Sequence, residues 1–138
     1  MSTLEISIVP FRFKYLKALH DLLGSNDYLG ISDVNMKTLP KIGYIALRGG
    51  HPIAAGFLRR VEGGYAQLDT LTTNKYMGSI IRHEGINKVV DALIQDAKDL
   101  QLRGIIAFSR DYSIIKRAED LGFHTLGEQK LFALKLKD

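Results

Sequence analysis

Arg82-His83-Glu84-Gly85-Ile86-Asn87 is the segment of this 138-residue chain whose residue types and spacing most directly suggest chemistry. It opens a long amphipathic stretch. The first turn of a helix carries about half a positive charge and up to four amide donors without intrahelical partners. Such an end can bind a pyrophosphate, and glycine lets a phosphate approach the backbone closely. On this reading Arg82 and Gly85 meet the phosphates, while the Asn87 side chain either crowds the loop or replaces an amide donor. His83 has two readings, an imidazole that contacts a phosphorylated ribose and a solvated histidine at the helix start. The competing reading is the solvated first turn of a helix packed on a sheet, with Glu84 as a favourable charge at its N-terminus.

Other reactive groupings are sparse. With no Cys, thiol chemistry, disulfides and thiolate metal sites are excluded. His20, His51, His83 and His124 lack the i, i+4 spacing of a helical metal pair, so no metal centre is expected. Neither a Gly-x-Ser-x-Gly elbow nor a Gly-x-x-x-x-Gly-Lys-Ser/Thr loop occurs, which disfavours triad hydrolases and nucleoside triphosphatases.

The elements that must carry these residues are readable from periodicity. Leu4, Ile6 and Ile8 alternate with polar residues as in a half-buried strand ended by Pro10. Tyr15, Leu16, Leu19, Leu22 and Leu23 predict a helix from about Phe11 to Leu23, and Ser25 to Pro40 reads as loop with one short helix at most. Runs at Ile42 to Leu47, Pro52 to Val61 and Tyr65 to Tyr76, separated by Gly49-Gly50 and Gly63-Gly64, predict an antiparallel meander. Ile86, Val89, Val90, Leu93, Ile94 and Ala97 form the widest apolar stripe and predict the longest helix, with Lys88, Asp91, Asp96 and Lys98 off it. The apolar run Gly104 to Phe108 then reads as a parallel strand covered on both faces. A helix through Ile114, Ile115, Ala118 and Leu121 stops at Gly122, and Phe123 to Leu136 closes the chain as a strand.

This order resembles the GCN5-related N-acetyltransferase (GNAT) superfamily over nearly the whole chain. Arg82 to Asn87 looks like the family's acyl-CoA loop, usually Arg-x-x-Gly-x-Gly or Arg-x-x-Gly-x-Ala, with Asn87 at the last position. Ser113 to Phe123 looks like its helix ending in Gly-Phe, and the small divergent members encoded by bacteriophages are the most similar in pattern. The resemblance implies one domain over 1–138 of α/β (α+β) class. Its core would be a mixed, mostly antiparallel twisted sheet flanked by helices on both faces, with a central βαβ unit.

The implied activity is acyl transfer from an acyl-CoA, acetyl-CoA first among them, to an amine by direct attack. The strand before the loop splays from its neighbour in this family, which places Leu71, Thr72 and Thr73 along the pantetheine arm, and the long spacing from Asp69 to Arg82 implies an irregular loop around Asn74 to Ser79. Arg82, His83, Gly85, Asn87 and Asp111 would complete the cofactor contacts, Asp111 serving otherwise as a helix cap. Asp69 stands where relatives often carry a general base. The usual acid, a Tyr four residues before the Gly-Phe glycine, is replaced by Ala118, so Tyr112 or Tyr76 would substitute. The same departure supports an alternative, a catalytically inactive module that contacts protein or nucleic acid.

Composition bounds the partners. The +4 net charge, from 19 Lys+Arg against 15 Asp+Glu, allows an anionic ligand or nucleic acid without demanding either, because no run of five or more basic residues occurs. No apolar run approaches a membrane span, and Met1-Ser2-Thr3-Leu4-Glu5 lacks the basic start of a secretion signal, so a cytoplasmic protein is expected. The acceptor is a small molecule or a protein amine. Phe123, Leu126, Leu131, Phe132, Leu134 and Leu136 could serve the core or a second copy, leaving monomer and homodimer both open.

Overall fold

Alternating residues near the start of the chain form the edge strand β1 (Ile6–Pro10), where a proline costs no ladder bond to a further strand. A computed structural model describes residues 5–25, 30–31, 34–108, 112–124, 126, 134 and 136. The expected first helix begins later than its periodicity suggests. Arg12 is still extended, a single 3-10 turn covers Phe13–Tyr15, and α1 runs over Leu16–Ser25. Three strands follow, β2 (Ile42–Arg48), β3 (His51–Val61) and β4 (Tyr65–Thr73), joined at Gly49-Gly50 and near Gly63-Gly64, where all four glycines have positive φ. The longest helix, α2 (Ser79–Asp99), carries the chain back to β5 (Gly104–Ile106).

The five strands lie in sequence order, antiparallel except for the parallel pair β4 and β5. Alternation along each strand sends side chains to opposite faces, and among the described residues of the first unit α1 packs on one face and α2 on the other. Ile45, Ala55 and Phe57 meet Leu19, Leu22 and Leu23 of α1. On the other side Ala46, Ile53, Ala54, Leu58 and Ala66 meet Ile86, Val89, Val90, Leu93 and Ala97 of α2. Burying each of the larger of these side chains contributes roughly 1.5–3 kcal/mol, enough to fix both helices on the sheet. The architecture is therefore a mixed, mostly antiparallel sheet flanked on both faces by helices, with β4, α2 and β5 as its βαβ unit.

The backbone gathers into two compact units, residues 1–107 and 108–138. The second contains α3 (Tyr112–Asp120). Its end matches the sequence reading: Gly122 has φ 96°, its amide donates to the Glu119 carbonyl and that of Phe123 to the Ala118 carbonyl, a Schellman stop. Asp111 and most of the expected strand from Phe123 to Leu136 lie outside the described residues.

Candidate functional site

The two strands of the parallel pair part company early. β5 pairs only with Tyr65, Ala66 and Gln67, whereas β4 runs on to Thr73. Leu68 to Thr73 thus have β3 on one side and no strand pairing on the other among the described residues, which opens a cleft along this part of β4. This open edge also holds a β-bulge. Phe57 pairs with Asp69 and Ala55 with Thr72, so Gly56 alone faces both Thr70 and Leu71. Thr70 takes φ 52°, a left-handed conformation that costs a β-branched residue on the order of 1–2 kcal/mol. A side chain at Gly56 would strike Leu71 and Val89; its absence lets Leu71 reach α2.

At the end of β4 the chain turns over Asn74. That residue's amide donates to the Ile53 carbonyl, its side-chain amide donates to the Pro52 carbonyl at 3.1 Å, and its Oδ1 accepts from the Tyr76 amide at 3.0 Å. The turn delivers the chain to Gly78, the N-cap of α2, which provides no side-chain cap, and the first turn contains no acidic residue. The first amide to bond back is that of Arg82, to the Gly78 carbonyl at 3.1 Å. Among the described residues, the amides of Ser79, Ile80 and Ile81 are therefore the donors of this helix end without an intrahelical partner. Tyr76 and Ile80 beside them are 85% and 82% exposed.

This corrects the reading of Arg82 to Asn87 as the entering loop. Those residues lie in the second and third turns of α2, so the amides of Arg82, His83, Gly85 and Asn87 belong to the helix and cannot cradle a phosphate. The irregular loop expected around Asn74 to Ser79 is the actual entry, and it puts the start of the helix about one turn upstream. Gly85 instead serves packing: a Cβ there would come within 2.6 Å of Ile53 Cγ2. Arg82 Nε and Asn87 Oδ1 are buried without a hydrogen-bond partner, one a donor and one an acceptor. Unsatisfied buried polar atoms are rare enough in folded proteins that each calls for an explanation, and a bound ligand is one. His83 and Glu84 are exposed on the helix.

The acid and base candidates are placed unevenly. Asp69 lies on β4 beside the bulge, with Oδ2 accepting from Arg59 Nε at 2.7 Å and Oδ1 accepting from the Thr70 hydroxyl at 2.7 Å. Arg59 also donates through Nη2 to the Thr38 carbonyl at 2.9 Å. Leu71 packs toward α2, Thr72 is buried, and Thr73 ends the strand opposite Ala54. Tyr76 is in the entry turn and Tyr112 opens α3 in the second unit.

One polar pair that sequence reading missed ties the other end of α2 to the sheet. The Tyr44 hydroxyl donates to Asp96 Oδ2 at 2.6 Å. The bond to Asp96, with burial and the nearby carboxylates of Asp96 and Asp99, pushes the Tyr44 phenol up to about 12. Asp96 is thus not simply a solvated residue off the apolar stripe. With the partners 52 positions apart in the chain, no local pattern announces them.

No protein-family model matches the sequence, and no curated protein matches it. Solved structures do. A GNAT-family acetyltransferase of Staphylococcus aureus aligns at a TM-score of 0.75 with 16% identity, covering 97% of this chain and 95% of that one. A GNAT-family acetyltransferase of Streptococcus pneumoniae aligns at 0.75 with 12% identity, covering 96% and 100%. A Mycobacterium tuberculosis protein crystallised with CoA aligns at 0.70 with 17% identity, covering 92% and 76%. Strand order, the parting of β4 and β5 and these alignments lead to one conclusion: the chain has the fold of the GNAT acetyltransferases.

Proposed function

We propose that this protein is an acyl-CoA-dependent N-acyltransferase that transfers an acyl group, acetyl first among candidates, to an amine by direct attack. The observation that carries the reading is the open edge of β4 from Leu68 to Thr73, leading to the uncapped N-terminus of α2. A long, polar, doubly amide-containing arm attached to a pyrophosphate matches that surface. Leu71, Thr72 and Thr73 would lie along the arm, and the amides of Ser79, Ile80 and Ile81 would meet the phosphates. Arg82 and Asn87 offer a donor and an acceptor not used within the protein. CoA bound in the M. tuberculosis structure of the same fold supports this choice.

When bound, the cofactor supplies the activated thioester. The chain's part is to hold that thioester beside the acceptor amine, since fixing two reactants in one geometry contributes much of the rate of a bimolecular step. Tyr76 at the entry turn is the proposed donor of a proton to the leaving thiolate. The acceptor is a small-molecule or protein amine. Among the described residues no helix is long and apolar enough to cross a membrane.

Thermal unfolding in a titration of acetyl-CoA tests the reading. At 100 times the dissociation constant, binding adds roughly 2.7 kcal/mol of stability. No shift at saturating cofactor sinks the proposal and favours a module that binds protein or nucleic acid instead; salt-sensitive DNA binding would identify the latter.

A further inference from the structure

Asp69 has both oxygens occupied by neighbours, and those neighbours lead in two directions. Toward the open edge, the Thr70 hydroxyl donates to Oδ1, and Thr70 is the residue held at φ 52°. Toward the opposite side, Arg59 donates Nε to Oδ2 and Nη2 to the carbonyl of Thr38. That carbonyl belongs to a turn closed on itself. The Lys37 amide donates to Asn35 Oδ1, the Asn35 amide to Thr38 Oγ1, and the amides of Thr38 and Leu39 to the Asn35 carbonyl.

The conformation at Thr70 has a visible consequence. Leu68 and Leu71 both pack toward α2 although they are three residues apart, which regular strand alternation forbids. The extra residue restores Leu71 to the apolar face. It also reverses which backbone groups β4 turns outward beyond that point. A β-branched residue does not adopt this backbone readily, so its environment must hold it.

We propose that Asp69 is a positioning residue that pins the β4 bulge through Thr70, and that Arg59 anchors this pin to the Asn35–Leu39 turn. The backbone of Leu71 to Thr73 is thereby presented to the cofactor arm in one fixed phase. An aspartate with both oxygens so engaged acts through Thr70 rather than as a base that takes the acceptor's proton. The cofactor arm of this inference rests on the acyl-CoA reading; the conformational arm does not.

The experiment compares wild type with Asp69→Ala, Thr70→Gly and the double variant Asp69→Ala/Thr70→Gly. Glycine takes positive φ without help, so it removes the need for the pin. Two quantities are measured: the affinities for CoA and for 3′,5′-ADP by calorimetry, and amide hydrogen exchange over residues 68–73 in the ligand-free protein. Asp69→Ala is expected to weaken CoA about tenfold with little change for 3′,5′-ADP, which lacks the pantetheine arm, and to speed exchange in the bulge. The double variant and Thr70→Gly are expected to return to within about threefold of wild type.

Rescue by glycine separates a pin from a base, because a glycine at position 70 has no side chain with which to replace a lost carboxylate as a proton acceptor. Unchanged CoA affinity and exchange in Asp69→Ala overturn the proposal, as does a double variant that stays as impaired as the single one or fails to fold. If wild type binds neither ligand, the acyl-CoA reading fails, and the exchange measurements alone decide the pin.

Discussion

The two ends of α2 follow opposite rules of polar satisfaction. At its C-terminal end, the Leu100 amide donates to the Asp96 carbonyl, that of Leu102 to the Ala97 carbonyl, and Gln101 closes the turn at φ 57°. The Tyr44 hydroxyl holds Asp96 to the sheet, and Gln95 donates to Asp99. At the N-terminal end Gly78 leaves the first amides uncapped, and Arg82 Nε and Asn87 Oδ1 are buried without partners. One end is finished by the protein itself; the other keeps donors and an acceptor in reserve. The same helix makes both, anchored to the sheet at one end and, on the proposed reading, turned to the phosphates at the other.

The strongest way to break this contrast is to disturb the middle on which both ends depend. Gly85→Val forces side-chain atoms into Ile53 and is expected to cost about 2–3 kcal/mol, read as a fall of roughly 10 °C in the unfolding midpoint. A smaller change sharpens it. At Gly78 an added side chain meets nothing within 4 Å and φ is −59°, so aspartate fits there. Gly78→Asp would cap α2 and place a negative charge where the phosphates are proposed to sit. Calorimetry should then show CoA affinity reduced about tenfold, about 1.4 kcal/mol.

Tyr44→Phe attacks the anchoring end. It removes the hydrogen bond to Asp96 and is expected to lower stability by about 1 kcal/mol in denaturant unfolding while leaving cofactor affinity unchanged. The same bond has a pH signature. The folded phenol is raised from 10.0 to about 12, so the native state holds this proton more tightly than the unfolded chain. Its stabilising contribution is complete below pH 10 and is lost as pH rises toward 12. Ultraviolet titration should show one tyrosine ionising late in wild type and none at that position in Tyr44→Phe. The smallest expected effect is the stability of Gly78→Asp without ligand, a gain of a few tenths of a kcal/mol. Opposite signs for stability and cofactor affinity in that one variant would express the contrast between the two ends most directly.

Much of the fold was legible because its signals are local. The Gly49-Gly50 turn, the stripe from Ile86 to Ala97 and the Gly122 stop each depend on residues within a few positions of one another. The candidate site was legible only in outline. Arg82 to Asn87 carried the right residue types for a phosphate loop, yet the helix begins at Ser79, because no residue from Ser79 to Asn87 interrupts helical geometry and Asn74 closes the turn before it. A glycine at position 85 reads equally well as a phosphate contact or as a close approach to Ile53, and only the packing decides between them.

By itself the sequence determined the order of the helices and strands from β1 to α3, their apolar faces and the absence of thiol chemistry, since these follow from residue type and short-range periodicity. Tertiary structure alone decided where β4 leaves β5, which residue adopts the bulge and which partners Asp69, Tyr44 and Asn74 take. Those outcomes depend on strand register and on contacts between residues far apart in the chain. A shift of one position in pairing exchanges the two faces of a strand, and no local pattern encodes it.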